Sequence, residues 1–255
     1  MNLERILNEL LPPKLAWRAT RGLRQRRELV RFGEFYRQFI TDGCLCFDIG
    51  ANLGVRTHAF RSLGCKVVAV EPQQSCLIAL KRAFGDDAQV TLVNAALGRQ
   101  AGTATLHVSP DHVLSSLSKV FVEETSRSGR FSASRWNRSE TVAVRTLDSL
   151  IDDHGLPDFI KIDVEGFESE VLAGLSVPVP ALCFEWTPEL PENALGCVDR
   201  LDSLGDYEFN LSWGESLRFS RSQWRTAESM RSVIREFEGE SLMFGDIYAK
   251  IRKHD

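Results

Sequence analysis

The chain has 255 residues, with 31 Lys and Arg against 35 Asp and Glu, a formal net charge of −4 at pH 7, and 43% hydrophobic and 9% aromatic residues. These are proportions of a folded globular protein, and they exclude disorder, collagen and coiled coil; no window approaches the roughly 20 uninterrupted apolar residues of a membrane helix. Glu4 and Glu9 interrupt the N-terminal stretch before the apolar core of a signal peptide, and the six cysteines form no CxxC and no zinc spacing, so the chain reads as reduced, cytoplasmic and without a transmembrane segment.

Residues 1–31 carry eight Lys and Arg against three Glu, a net of +5 that leaves −9 for the remainder. They fall in a basic helical extension over residues 1–40, in which Leu15, Trp17, Leu23, Val30 and Phe32 supply an apolar side. Its arginines, Arg21, Arg24, Arg26 and Arg27 among them, are either a solvated helix face or a landing surface for an anionic acceptor or membrane headgroup. An acidic sequence pI near 5.8 argues against a nucleic-acid partner.

From residue 41 to 255 a single α/β domain is expected, because short apolar runs alternate with amphipathic segments. Strands are predicted at Cys44–Ile49, Lys66–Val70, Val90–Asn94, Thr103–Val108, Thr141–Arg145, Phe159–Ile162 and Ala181–Trp186. Helices are predicted at Val55–Leu63, Ser75–Phe84, Leu147–Ile151 (a turn), Glu168–Leu175 and Ala194–Leu204, and Tyr207–Ser212 with Leu242–Ile251 closes the order as a strand pair. The polar stretch from Ser109 to Glu140 reads as a long loop suited to a substrate lid. In such a doubly wound sheet, function belongs at the carboxyl ends of the strands.

The strongest signal is Phe47-Asp-Ile-Gly-Ala-Asn-Leu-Gly54, which ends the first strand and opens a helix, with Glu71 closing the second strand 21 residues after Gly50. Glycine lets a ligand approach the backbone, and an acidic side chain at that distance reaches ribose hydroxyls, which implies an adenosine moiety. A dinucleotide fingerprint starting at Gly50 needs two more glycines, where this chain has Asn52 and Val55. NAD and a nicotinamide-dependent oxidoreductase are therefore disfavoured. S-adenosylmethionine, with a sulfonium and an amino acid tail in place of phosphates, suits a loop that begins with Asp48 and offers an Asn. A non-catalytic module that only binds this cofactor is a further alternative.

Taken with Val70-Glu71-Pro72, Val93-Asn94-Ala95-Ala96-Leu97-Gly98, Ser115-Ser116-Leu117, Val144-Arg-Thr-Leu147-Asp148, Ile160-Lys-Ile-Asp163-Val-Glu165-Gly166 and Phe184-Glu185, the series resembles the FkbM-type methyltransferase family. The resemblance covers about residues 44 to 190. It implies a class I, Rossmann-like methyltransferase fold, with a mostly parallel seven-stranded sheet and helices on both faces. It also implies methyl transfer from S-adenosylmethionine to a hydroxyl oxygen of a sugar, natural product or other small-molecule or glycan acceptor. Carried over by position, Asp48, Gly50 and Asn52 line the methionine end, Glu71 with Pro72 holds the ribose, and Asn94 and Ala95 sit at the adenine. Asp163 serves the cofactor, and Asp163 and Glu165 face the transferred methyl. One departure is Val55-Arg56-Thr57-His58, where the family often has an aromatic-Thr pair.

On chemistry alone, Asp163, Glu165 and Glu185 stand at or near the ends of two neighbouring predicted strands, where their carboxylates can converge. One of them can take the hydroxyl proton of the acceptor, with Glu165 serving either as base or as anchor of the cofactor's amino group. His58, and after it His112, are other candidates for the base. No metal is assigned, because no second Asp-Asn pair accompanies Asp163.

Overall fold

The computed structural model describes residues 27–109, 115–128, 136, 138–239 and 243–252. Residues 1–26, with most of the basic arm, and His112 lie outside the described residues.

Residues 27–36 form helix α1. A strand, helix, strand, helix, strand series follows: β1 (Leu45–Ile49), α2 (Val55–Ser62), β2 (Lys66–Val70), α3 (Gln74–Phe84) and β3 (Val90–Val93). A short sheet region holds β4 (Ala96–Leu97), β5 (Gly102–Val108), α4 (Lys119–Ser128) and β6 (Arg138–Arg145). The main pattern then resumes with α5 (Leu147–His154), β7 (Phe159–Ile162), α6 (Glu168–Ala173), β8 (Ala181–Trp186), α7 (Pro191–Leu204), β9 (Tyr207–Trp213), α8 (Ala227–Glu236) and β10 (Gly245–Ile251).

The main sheet runs β3-β2-β1-β7-β8-β10-β9. Its strands share one direction except β10, which is antiparallel to both β8 and β9. This is the mostly parallel seven-stranded arrangement expected, with the order reversing between β1 and β7, where the carboxyl ends open a crevice. Both faces are covered, so the strands are apolar on both sides. Phe47, Ile160, Ile162 and Phe184 pack under α5 to α8, while Cys46, Phe159, Cys183 and Tyr248 pack under α1 to α3. All six cysteines are free thiols, five of them buried as small apolar groups.

Four expectations change. The stretch 109–140 contains α4, whose Phe121 is buried against Leu190, so part of the expected lid is a packed helix. A three-stranded sheet, β4-β6-β5, stands apart from the main sheet and roofs the crevice. Helix α8 fills the stretch before the final strand, with Met230 and Ile234 in the core. From the segment assigned to the N-terminal extension, Phe32, Phe35, Tyr36 and Ile40 are buried in the same core as the sheet. Phe35 meets Tyr248 and Phe219 edge to face, each with ring centroids 5.2 Å apart.

Candidate active site

A cavity partly open to solvent lies beyond the carboxyl ends of β1, β2 and β7, where a doubly wound sheet offers a place to a small ligand. Its floor comes from Ile49, Gly50 and Asn52, one wall from Val70 to Gln73, and the opposite end from Asp163 to Glu165 and Phe167. Ala95 to Leu97, Leu106, Ser115 and Leu117 close it from the small sheet and its flank.

The glycine loop is shaped by close approach of two strand ends. Gly50 has φ +80°, and a Cβ there would lie 1.8 Å from the Asp163 carbonyl oxygen. The N–H groups of Gly50 and Ala51 both donate to Val70 O at 3.0 Å, locking the loop to β2. Asn52 also has positive φ, 49°, which Asn tolerates better than most residues. Gly54 serves packing: a Cβ there would meet Phe84 at 2.6 Å and Leu80 at 2.9 Å, so it lets α2 lie close on α3.

Glu71 ends β2 with its carboxylate held at both oxygens. One accepts the Asn52 N–H at 2.9 Å and the other the Gln73 N–H at 2.7 Å. A carboxylate offers about four acceptor positions, so two are left for hydroxyl groups in the cavity. Burial pushes this carboxyl up to about 7, against the lowering effect of the two amides.

At the other end, residues 163–167 form a tight loop in which Glu165 (φ 54°) and Gly166 (φ 85°) are both left-handed. Ser116 Oγ donates to Glu165 O at 2.6 Å. The Glu168 carboxylate accepts the N–H groups of Val164 at 3.0 Å and Gly166 at 3.3 Å, and its other oxygen accepts Asn193 Nδ2 at 2.5 Å. Glu168 thus pins the loop to α6, and Asn193 pins Glu168 to α7.

The carboxylates of Asp163, Glu165 and Glu185 converge, with one oxygen of each within 4.8 Å of the others. Such a group can share one proton or one cation. Burial pushes Glu185 well up, the charges of Glu165 and Asp163 add to it, and its carboxyl group is hydrogen-bonded to that of Asp163. Burial alone would raise Asp163 too, but Lys161 and Arg56 outweigh it and hold Asp163 below the ordinary carboxylate range. Lys161 Nζ lies 3.1 Å from Asp163 Oδ2 and 2.9 Å from Asp246 Oδ1.

Of the residues singled out in the sequence, Gly50, Asn52, Glu71, Pro72, Ala95, Asp163 and Glu165 line the cavity together, and Glu185 meets it through the carboxylate cluster. Asp48 lies beneath the floor, 1% exposed, accepting from Thr57 Oγ1 at 2.5 Å, and burial pushes it up to about 6. Asn94 sits behind the wall, where its Nδ2 donates to the backbone oxygens of Glu71 and Pro72. His58 packs against Phe84, the rings tilted by 52° with centroids 4.3 Å apart, away from the cavity lining. Sequence reasoning passed over Lys161, Glu168 and the apolar walls Leu106 and Phe167. Lys161 and Glu168 lie in or beside a motif that was read, but their partners, Asp246 and Asn193, carry no local signal.

The profile of the methyltransferase FkbM domain matches residues 48–210, a span that takes in the whole cavity lining. The chain belongs to the FkbM methyltransferase family. Solved structures similar to this FkbM-family chain include precorrin-6Y C5,15-methyltransferase from Geobacter metallireducens GS-15, 13% identical with a TM-score of 0.45, covering 89% of this chain and 87% of that one. A methyltransferase from Pyrococcus furiosus is 13% identical with a TM-score of 0.40, covering 88% and 83%. An rRNA methylase from Streptococcus thermophilus is 12% identical with a TM-score of 0.39, covering 86% and 94%. No curated protein matched the chain. Asp246 falls outside the FkbM span.

Proposed function

We propose that this FkbM-family methyltransferase uses S-adenosylmethionine to methylate a hydroxyl oxygen of a small-molecule or glycan acceptor in the cytoplasm. The observation that carries the reading is one cavity with the Glu71 carboxylate at one end and a carboxylate cluster at the other, Asp163 with Glu165 and Glu185. The free acceptor positions of Glu71 fit a pair of vicinal hydroxyls, the apolar wall from Pro72 to Leu97 fits a base, and the carboxylate end fits a cationic amino acid tail. When bound, the cofactor supplies an electrophilic methyl on a sulfonium and leaves as a neutral thioether.

The chain's own residues orient the reactants and handle one proton. Asp163, ionised beside Lys161, binds the amino group of the cofactor, and Glu165 takes the acceptor's hydroxyl proton as the oxygen attacks. Glu185 keeps Asp163 oriented through the hydrogen bond between their carboxyl groups. His58 has no part in this scheme, since it packs on Phe84. The net charge of −4 and three carboxylates at the reacting end disfavour a phosphate-rich acceptor, which supports a neutral polyol over a nucleic acid. No helix among the described residues is long and apolar enough to cross a membrane; contact with an anionic surface would fall to the basic arm. The test is formation of S-adenosylhomocysteine from S-adenosylmethionine across a panel of hydroxylated acceptors. Turnover restricted to amine or nucleic-acid acceptors would overturn hydroxyl methylation.

A further inference from the structure

Lys161 is a fully buried cation that does not line the cavity. Burying a charge carries a large desolvation cost, which a chain tolerates where the charge is completely paired. Here it is: the ammonium has three donors, and Asp163 Oδ2, Asp246 Oδ1 and the Ile162 carbonyl oxygen lie at 3.1, 2.9 and 3.3 Å.

Strand register explains how. Lys161 stands opposite Cys183 on β8, and Asp246 on β10 stands opposite Glu185. The lysine therefore reaches across β8 to Asp246 and one pleat forward to Asp163 on its own face of the sheet. Its two carboxylates differ in kind. The Asp246 side chain is 11% exposed and lies in the sheet, whereas that of Asp163 is 34% exposed and opens on the cavity. A pair needed only to tie β7 to β10 is complete with Asp246 alone.

We propose that Lys161, braced by Asp246, is a positioning residue that fixes the Asp163 carboxylate at the cavity's edge for the cationic end of the cofactor. The inference rests on the reading that this cavity takes S-adenosylmethionine. The charged groups facing Asp163 are Lys161 on its own strand, Glu165 in the following loop, Glu168 on α6, Glu185 on β8, Asp48 on β1, Arg56 on α2 and Asp246 on β10 through the lysine. Most of these are acids, so without the lysine Asp163 both loses its anchor and takes up a proton more readily.

The test is calorimetric titration of S-adenosylhomocysteine, with thermal unfolding alongside, in the double variant Lys161→Met/Asp246→Leu. Replacing both partners with apolar groups of similar size spares the fold better than Lys161→Met alone, which strands two carboxylates. The expected result is a Tm within a few degrees of the parent's, binding at least tenfold weaker at pH 8, and a ratio of variant to parental dissociation constants that grows as pH falls from 8 to 6. Glu71 titrates in both proteins and cancels in that ratio. Unchanged affinity with a pH-independent ratio would make the pair purely structural and overturn the inference. Should the double variant fail to fold, Asp246→Asn retains the lysine and an oxygen for it; binding weakened at least threefold supports the brace, and unaltered affinity refutes it. If the parental protein itself does not bind S-adenosylhomocysteine, the cofactor reading has failed, and that outcome is distinct from a parent that binds and variants that bind equally.

Discussion

Glu71 couples the cavity to pH. Its carboxyl is pushed up to about 7 by burial, so its protonated form is the one the empty fold prefers. The stability it contributes is complete below the unfolded value near 4.5 and is lost as pH rises through about 7, a loss on the order of 3 kcal/mol. Asp48, pushed up to about 6, acts in the same direction over a lower window. Glu71→Gln should therefore flatten the fall in Tm between pH 5 and 7.5 in the ligand-free protein, and a parental slope retained in the variant would assign it to other groups. Ribose hydroxyls are best accepted by the ionised form, so Glu71→Ala should weaken S-adenosylhomocysteine binding about tenfold or more, from hydrogen bonds worth about 1.5–3 kcal/mol each. At Glu165 the chemistry itself is tested: Glu165→Gln should lower kcat by about 10²–10⁴-fold with cofactor affinity nearly intact if it removes the hydroxyl proton. Weakened affinity with kcat preserved would make Glu165 the amino-group anchor instead.

The loops at the ends of β1 and β7 are the elements on which the site depends. Gly50→Ala puts a Cβ against the Asp163 carbonyl at a left-handed φ, so it should abolish cofactor binding while β1 itself persists. Glu168→Ala removes the acceptor of two loop N–H groups, and the expected destabilisation is about 2–4 kcal/mol by urea unfolding, with weaker binding. Normal binding in that variant would show that the loop holds its shape without Glu168. The strands of the parallel sheet were legible in the sequence because buried parallel strands are short continuous apolar runs, and the predicted bounds at Lys66–Val70, Phe159–Ile162 and Ala181–Trp186 are those of β2, β7 and β8. Helix α4 was hidden because its stretch is polar outside Val120-Phe121-Val122, and its burial depends on Leu190, far along the chain. The two-residue β4 exists only through pairing with β6, which no local pattern encodes.

At the scale of the whole molecule, the carboxyl ends of one sheet gather residues separated by more than a hundred positions, from Gly50 to Glu165. The motif order in the sequence placed them at one crevice, but it carried no sign that Lys161 would meet Asp246, 85 residues away, or that α1 would pack into the core. Phe35 illustrates the second point: it packs against Tyr248 of β10 and Phe219. Phe35→Ala should cost about 3–5 kcal/mol of stability, which marks residues 27–40 as part of the fold. The proposed function requires a cavity that takes S-adenosylmethionine and not a dinucleotide. Its most direct test is titration calorimetry of the purified chain with S-adenosylhomocysteine and, separately, NAD. S-adenosylhomocysteine should bind saturably and NAD not at all; NAD binding as tightly as S-adenosylhomocysteine, or more tightly, would overturn the cofactor assignment.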